Sequence, residues 1–235
     1  DPKEVRWVEI WNDVFMQYFK KADGSFEPLK QKNVDTGMGL ERTVAAVNGV
    51  ELFLIDTMEP LVRRVEELSG KRYAEGGETA RAMRVVVDHV RSAAFVLGDE
   101  CGIVPGNVGQ GYVLRRLIRR AVRYGKLLGI KKGSMAAVAE EVVAVFGGEY
   151  PELTANRKRI EAELDAEEEK FAAALEKGLK EFSRLGEVDG KTAFDLYQSY
   201  GFPLDRTEEL ARERGLRIDT AVFEAEFKKH QELSR

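Results

Sequence analysis

Residues 111–132, GYVLRRLIRRAVRYGKLLGIKK, hold eight basic side chains and no acidic one. At 100° per residue the stretch sorts as an amphipathic helix. Measured from Arg115, the side chains of Arg116, Arg119, Arg120, Arg123 and Lys126 fall within an arc of roughly 140°. Leu114, Leu117, Ile118, Ala121 and Leu128 fall on the opposite side. One face is suited to burial and the other to a polyanion. A solvated charged face is the ordinary alternative. Against it, five arginines stand within nine residues and no glutamate sits at i±4 to pair with them. Arginine also suits phosphate better than lysine, because its planar fork bonds two oxygens at once.

The chain around this stretch is acidic, with a net charge of −4 over 235 residues. The basic charge is therefore concentrated, and indiscriminate nucleic-acid binding is disfavoured. A length of 235 residues allows one large or two small domains. The single Cys101 excludes an internal disulfide framework and a cysteine-based metal site. No apolar run is long enough to cross a membrane and no signal peptide opens the sequence, so a cytoplasmic protein without membrane contact is expected.

Upstream, residues 5–19 (VRWVEIWNDVFMQYF) alternate with a period of two. Val8, Ile10, Asn12, Val14, Met16 and Tyr18 share one face; Trp7, Glu9, Trp11, Phe15 and Phe19 share the other. Both faces are largely apolar, which predicts a long strand covered on both sides. The sequence KADG at 21–24 signals a turn, and a return strand is expected to start near Phe26. Then comes NVDTGMGLER at 33–42. Asp35 and Gly37 share a face if this segment is extended, and Gly37 lets a ligand approach the backbone. Arg42 falls in the first turn of the helix that follows, where unpaired N–H groups and a guanidinium suit a phosphate. The bare pattern Gly-x-Gly-x-x-Arg also fits a plain strand–turn–helix joint with a structural arginine.

Downstream of residue 59 the pattern is helical. A helix is predicted over 60–68, ended by Gly70, with residues 75–78 as a loop. A second is predicted over 81–97, where His89 reads as a hydrogen-bonded core residue more readily than as a base. The glycine-rich segment 98–111 (GDECGIVPGNVGQG) leads into the basic helix. Its Asn107 sits just before the helix start. The amide can read a base edge, or it can be a turn residue chosen for its backbone tolerance. Residues 156–185 read as one long helix whose acidic first half is expected to be solvated. Shorter helices are predicted over 192–199, 206–214 and 220–233.

Three blocks carry a resemblance. VEIWNDVFMQY with NVDTGMGLERTVAAVNGV resembles the end of the catalytic domain of alanyl-tRNA synthetase, a class II aminoacyl-tRNA synthetase. RVVVDHVRSAAFVLGD with PGNVGQGYVLRRLIRRAVRYGKLLG, and KTAFDLYQSYGFPLDRTEELARERGL, resemble the helical tRNA-recognition domain that follows it. The resemblance implies a mainly α fold: a helical tRNA-recognition domain over 59–235, preceded over 1–58 by a small α/β remnant of the class II antiparallel sheet. It identifies the glycine–arginine segment as motif 3. It implies that Arg42 holds the terminal phosphate of ATP, that Asp35 takes the amino group of alanine, and that Asn12, Val14 and Gly37 line the amino-acid pocket. ATP would come with Mg2+, and the family's zinc-bearing editing domain has no counterpart in this segment.

The resemblance also implies that tRNA(Ala) is a partner, with a G·U wobble pair in its acceptor stem read from the minor groove, which in RNA is wide and shallow. Asn107 and Gln198 match the family's two reading positions, and Arg115, Arg116, Arg119, Arg120 and Arg123 would meet the RNA backbone. Two positions depart from the family pattern: Gly106 replaces serine, and Gln198 replaces aspartate. Glutamine still accepts from a guanine amino group, without the added strength of a charged acceptor. Weaker discrimination against a G·C replacement is therefore expected. Motifs 1 and 2 precede motif 3 in the family and are not found in this sequence, so an N-terminal catalytic portion, in cis or in trans, is an expected partner. The alternatives are a non-catalytic tRNA-binding fragment or one half of a split synthetase.

Overall fold

The computed structural model describes residues 8–200, 202 and 204–233. The chain divides into two compact units, Asp1–Val62 and Arg63–Arg235.

The first unit holds β1 (Trp11–Lys20) and β2 (Phe26–Met38), an antiparallel ribbon, followed by α1 (Leu40–Asn48) and a short 3-10 turn at Leu52–Leu54. The tight turn forms because Asp23 accepts from the Ser25 N–H at 2.9 Å and from its hydroxyl at 2.7 Å. From Trp11↔Met38 to Met16↔Asn33 the ladder is regular; its register then shifts before Tyr18↔Pro28. The start of the expected strand, residues 5–7, lies outside the described residues.

The expectation of a strand covered on both sides is corrected. Phe15 is 72% exposed on one face and Val14 50% on the other. A two-stranded ribbon has no second layer to lay on either face. The alternating pattern reports what a strand is able to bury, not what covers it.

Helix α2 (Glu59–Ser69) spans the division between the units, and the second unit continues with α3 (Gly77–Gly98), α4 (Gly109–Leu128), α5 (Met135–Phe146), α6 (Pro151–Ala155), α7 (Arg157–Arg184), α8 (Gly190–Tyr200), α9 (Leu204–Glu213) and α10 (Thr220–Leu233). The mainly α architecture with a small antiparallel ribbon is therefore as expected. Helix α3 starts four residues before the predicted 81, so Gly77 and Glu78 belong to the helix and not to the loop. Helices α5 and α6 fall in a stretch for which the sequence pattern predicts no element.

The core forms where α3 lies along α4. Val86, Val87, Val90, Ala93, Ala94 and Leu97 of α3 are buried, as are Leu114, Ile118, Ala121 and Leu128 of α4. The alanines shorten the distance at which two helices can pack. Carbonyls at the C-terminal end of α3 find donors at the start of α7. Arg159 donates to the Leu97 and Asp99 oxygens at 2.8 and 2.5 Å, and Asn156 donates to the Gly98 oxygen at 2.9 Å. Helix α7 runs for 28 residues, about 42 Å at 1.5 Å per residue. Its first half packs on α3, α4 and α5, and α8 also packs against it. At the C-terminal end of α7 and beyond it, one cluster holds Phe182, Val188, Leu196, Phe202 and Ala211, and a second holds Ala193, Phe194 and Phe223, with Tyr197 and Phe227 against it.

Candidate functional site

In the ribbon, Asn12 pairs with Gly37 and Val14 pairs with Asp35. Directly opposed residues of an antiparallel pair project to the same face, and so do residues two apart. All four expected amino-acid-site residues therefore stand together on one face. Gly37 is what makes room: a Cβ there would lie 3.2 Å from Asn12 Oδ1. Asn12 donates to Glu9 Oε1 at 3.3 Å, and Asp35 Oδ1 accepts the Thr36 N–H at 3.0 Å. On the opposite face the Trp11 indole donates to the Thr36 hydroxyl.

Arg42 lies in the first turn of α1, the position read from the sequence. Its Nη1 donates to the Glu9 carbonyl at 3.0 Å, and its side chain is exposed. A guanidinium carries five donors, so the anchoring bond leaves capacity for an anion. Glu9 thus touches both Asn12 and Arg42 and ties the two ends of the site together. This role carries no sequence signal, because one of its two contacts is made through the backbone.

In the helical unit, α4 buries the apolar side expected of it. The arginine arc, however, is divided. Arg116, Arg120 and Lys126 are exposed, while Arg115, Arg119 and Arg123 are partly buried. Arg119 donates through Nε to Glu167 of α7 at 2.6 Å and lies 5.3 Å from the centre of the Phe171 ring. Glu167 is 2% exposed and Glu168 4%. The expectation of a solvated acidic face on α7 is corrected at these two positions. The ion-pair partner missing along α4 is supplied by another helix.

Glu168 accepts the N–H groups of Gly133 and Met135 at the start of α5, while its Oε2 has no hydrogen-bond partner. Burial pushes its carboxyl above the ordinary value of 4.5, against the pull of those two donors. Burial, and then the charge of Arg119, lower the Arg115 guanidinium from its ordinary value. The site already crowds cations, a condition that a bound anion relieves.

Asn107 lies in the loop before α4. The loop is folded hard onto the helix start, since a Cβ on Gly111 would sit 2.7 Å from the Val104 carbonyl oxygen. Arg115 donates through Nη1 to Asn107 Oδ1. Because a guanidinium only donates, the Asn107 oxygen is turned to it, and the amide N–H2 remains to meet an acceptor. Arg115 also lies 5.5 Å from the centre of the Tyr112 ring, and the Tyr112 hydroxyl is 2.9 Å from that of Tyr197 on α8. Gln198, the other expected reading residue, is exposed on α8 beside Tyr197. Tyr112 and Tyr197 were not singled out from the sequence. The available signal is positional: Tyr112 falls inside the arginine arc, where an aromatic ring is out of place for a simple solvated face. His89 meets Asp88 at 2.9 Å, and that hydrogen bond holds the Asp88 carboxyl below its ordinary value.

Among the described residues, no three His, Cys, Asp or Glu side chains gather to hold a metal ion, and no helix is long and apolar enough to cross a membrane. The ribbon-site carboxylates, Glu9 and Asp35, form no such group.

The residues that build the β-ribbon site and the arginine-bearing helix all fall within the match to one family model. The model described as tRNA synthetases class II (A) matches residues 2–235, and the chain belongs to that family. More narrowly, it is similar to alanine–tRNA ligases. It is 48% identical over 240 residues to that of Treponema pallidum, covering 98% of this chain and 40% of the relative. It is 44% identical over 237 residues to that of Borrelia hermsii, with the same coverage. With that of Thermotoga maritima the identity is 40% over 237 residues, covering 99% of this chain and 27% of the relative. The chain thus spans 40% or less of the length of these relatives.

Proposed function

We propose that this chain is part of an alanine–tRNA ligase, contributing one wall of the alanine and ATP site and the surface that holds the tRNA acceptor stem. The observation that carries the first half is the ribbon register, which sets Asn12, Val14, Asp35 and Gly37 on one face just before the Arg42 turn. The Asp35 carboxylate receives the ammonium group of alanine, a charge-assisted bond. Gly37 admits the small ligand, and Val14 limits side-chain size by a modest factor, since an apolar wall discriminates weakly. Arg42, held by the Glu9 carbonyl, binds the terminal phosphate of ATP in the field of the α1 N-terminus.

For the second half, Arg116 and Arg120 meet the RNA backbone and set the stem's position. Asn107 and Gln198 read the G·U pair from the minor groove. The amide N–H2 of Asn107 donates to a base or ribose acceptor. The Gln198 carbonyl accepts from the guanine amino group that the wobble leaves unpaired.

The exposure of both ribbon faces supports the narrower alternative, in which this polypeptide alone binds tRNA without activating alanine. Alanine-dependent ATP–pyrophosphate exchange separates the two readings. Exchange is expected when the chain is joined to, or mixed with, the N-terminal catalytic portion of its family. Absence of exchange in both settings would leave only the tRNA-binding reading.

A further inference from the structure

Two side chains that read one base pair must keep a fixed separation, within about half an ångström for productive geometry. Here the two candidates are far apart in sequence and belong to different parts of the helical unit. Asn107 is fastened to the start of α4, which packs on α3 and on the first half of α7. Gln198 is exposed on α8, next to Tyr197 of the aromatic assembly that α8 forms with α10. Both parts are joined along α7, whose length makes a small bend at one end a large displacement at the other.

A second connection crosses the gap. From Asn107, the Arg115 guanidinium bonds Oδ1 and lies over the Tyr112 ring, and the Tyr112 hydroxyl meets that of Tyr197 at 2.9 Å across 85 residues of sequence. The Tyr197 ring is packed edge-on against Phe223 and Phe227, with ring centres at 5.6 and 5.5 Å, and tilted against Phe194 at 6.5 Å. A phenol held on three sides by rings of α8 and α10 moves only with that assembly. Gln198 is the next residue along the same helix.

We infer that Tyr112 and Tyr197 are positioning residues, whose hydroxyl pair sets the distance between Asn107 and Gln198 and thereby the discrimination between acceptor-stem base pairs. This rests on the proposed reading of the stem by those two residues. The hydroxyls touch no RNA themselves. They act through the loop on one side and the helix on the other, and loss of either one breaks the same bond. Burial, and then the hydrogen bond with Tyr112, raise the Tyr197 phenol above its ordinary value of 10, so Tyr197 keeps its hydroxyl proton over the working pH range.

The test is binding of this chain to two RNA hairpins that copy the acceptor stem, one with the G·U pair and one with G·C in its place, followed by fluorescence anisotropy. Tyr112→Phe, Tyr197→Phe and the double variant keep every ring and remove only hydroxyls. Each single variant is expected to lower the G·U over G·C affinity ratio about three- to tenfold, the range for one lost hydrogen bond. Affinity for the G·C hairpin should stay within about twofold, because the phosphate contacts that dominate it are untouched. The double variant should be no worse than either single one, since both remove the same bond. A merely structural bond would weaken both hairpins alike. If the parent chain discriminates and the variants discriminate equally well, or if the two effects add, the inference is overturned and the reading of the stem survives. A parent chain that binds both hairpins equally overturns that reading, and this inference with it.

Discussion

Glu168 is the residue where burial and chemistry are most at odds. One oxygen is bonded by the N-terminal amides of α5, and the other has no hydrogen-bond partner. Its folded-state pKa is raised, so the native state keeps this proton at pH values where the unfolded chain has lost it. Stability from this group is therefore fully present below the unfolded value and declines as pH rises through the folded one. Glu168→Gln keeps an oxygen acceptor for the amides and cannot ionise. The gain of the variant over the parent in Tm should grow as pH is raised from about 5 to 8, the side of the unfolded glutamate value on which the buried charge would form. Melting curves that run parallel over that range would show that Glu168 is not strained by its charge.

At the same scale, much of the ribbon site was legible. The period of two put Asn12 with Val14 and Asp35 with Gly37, and the pairing of β1 with β2 closed the two pairs into one face. What was not legible was Glu167. A helical wheel ranks the faces of α7 but does not say which residue of another helix stands opposite, and an arginine there reverses the ordinary fate of a glutamate. Glu9 was illegible for a different reason: one of its contacts is a backbone carbonyl, which every residue carries.

Among elements, α4 is the one whose character changed most. The arc of arginines is continuous on the wheel, yet it serves two purposes in the fold. Its Arg119 edge is structural and its Arg116–Arg120 edge faces solvent. The two edges should therefore fail differently. Arg119→Ala leaves Glu167 buried without its charge partner and should cost about 3 kcal/mol in denaturant unfolding, with part of the loss recovered when Glu167→Gln is added. A cost below about 1 kcal/mol would place the pair among the weak surface bridges. Arg116→Ala with Arg120→Ala should leave stability nearly unchanged. It should weaken RNA binding and make the slope of log K against log salt shallower by about 1 to 2. An unchanged slope would remove these arginines from the RNA surface.

Helices α5 and α6 show the other limit at the element scale. The run MAAVAEEVVAVF mixes helix-favouring alanine with β-branched valine, so intrinsic preference alone decides little. Its helical state is fixed by packing of Val138, Ala139 and Val142, all buried, and by the Glu168 carboxylate at its N-terminus. Neither is visible within the run itself.

For the whole molecule, alanine and ATP are proposed to bind at the first unit and the acceptor stem at the second. The division makes the two half-reactions separable by mutation in the longer ligase of which this chain is proposed to be part. Asp35→Asn removes the carboxylate for the ammonium group, and Arg116→Ala with Arg120→Ala removes two contacts to RNA backbone. The deciding measurement sets alanine-dependent ATP–pyrophosphate exchange beside charging of tRNA(Ala) for these two variants. Asp35→Asn should lower kcat/KM for alanine about 10- to 100-fold in both assays, the weight of a charged hydrogen bond. The double arginine variant should lose charging efficiency about 10-fold or more while exchange stays at the parent level, because exchange needs no RNA. Exchange that survives Asp35→Asn, or charging that is indifferent to both arginines, would contradict the account.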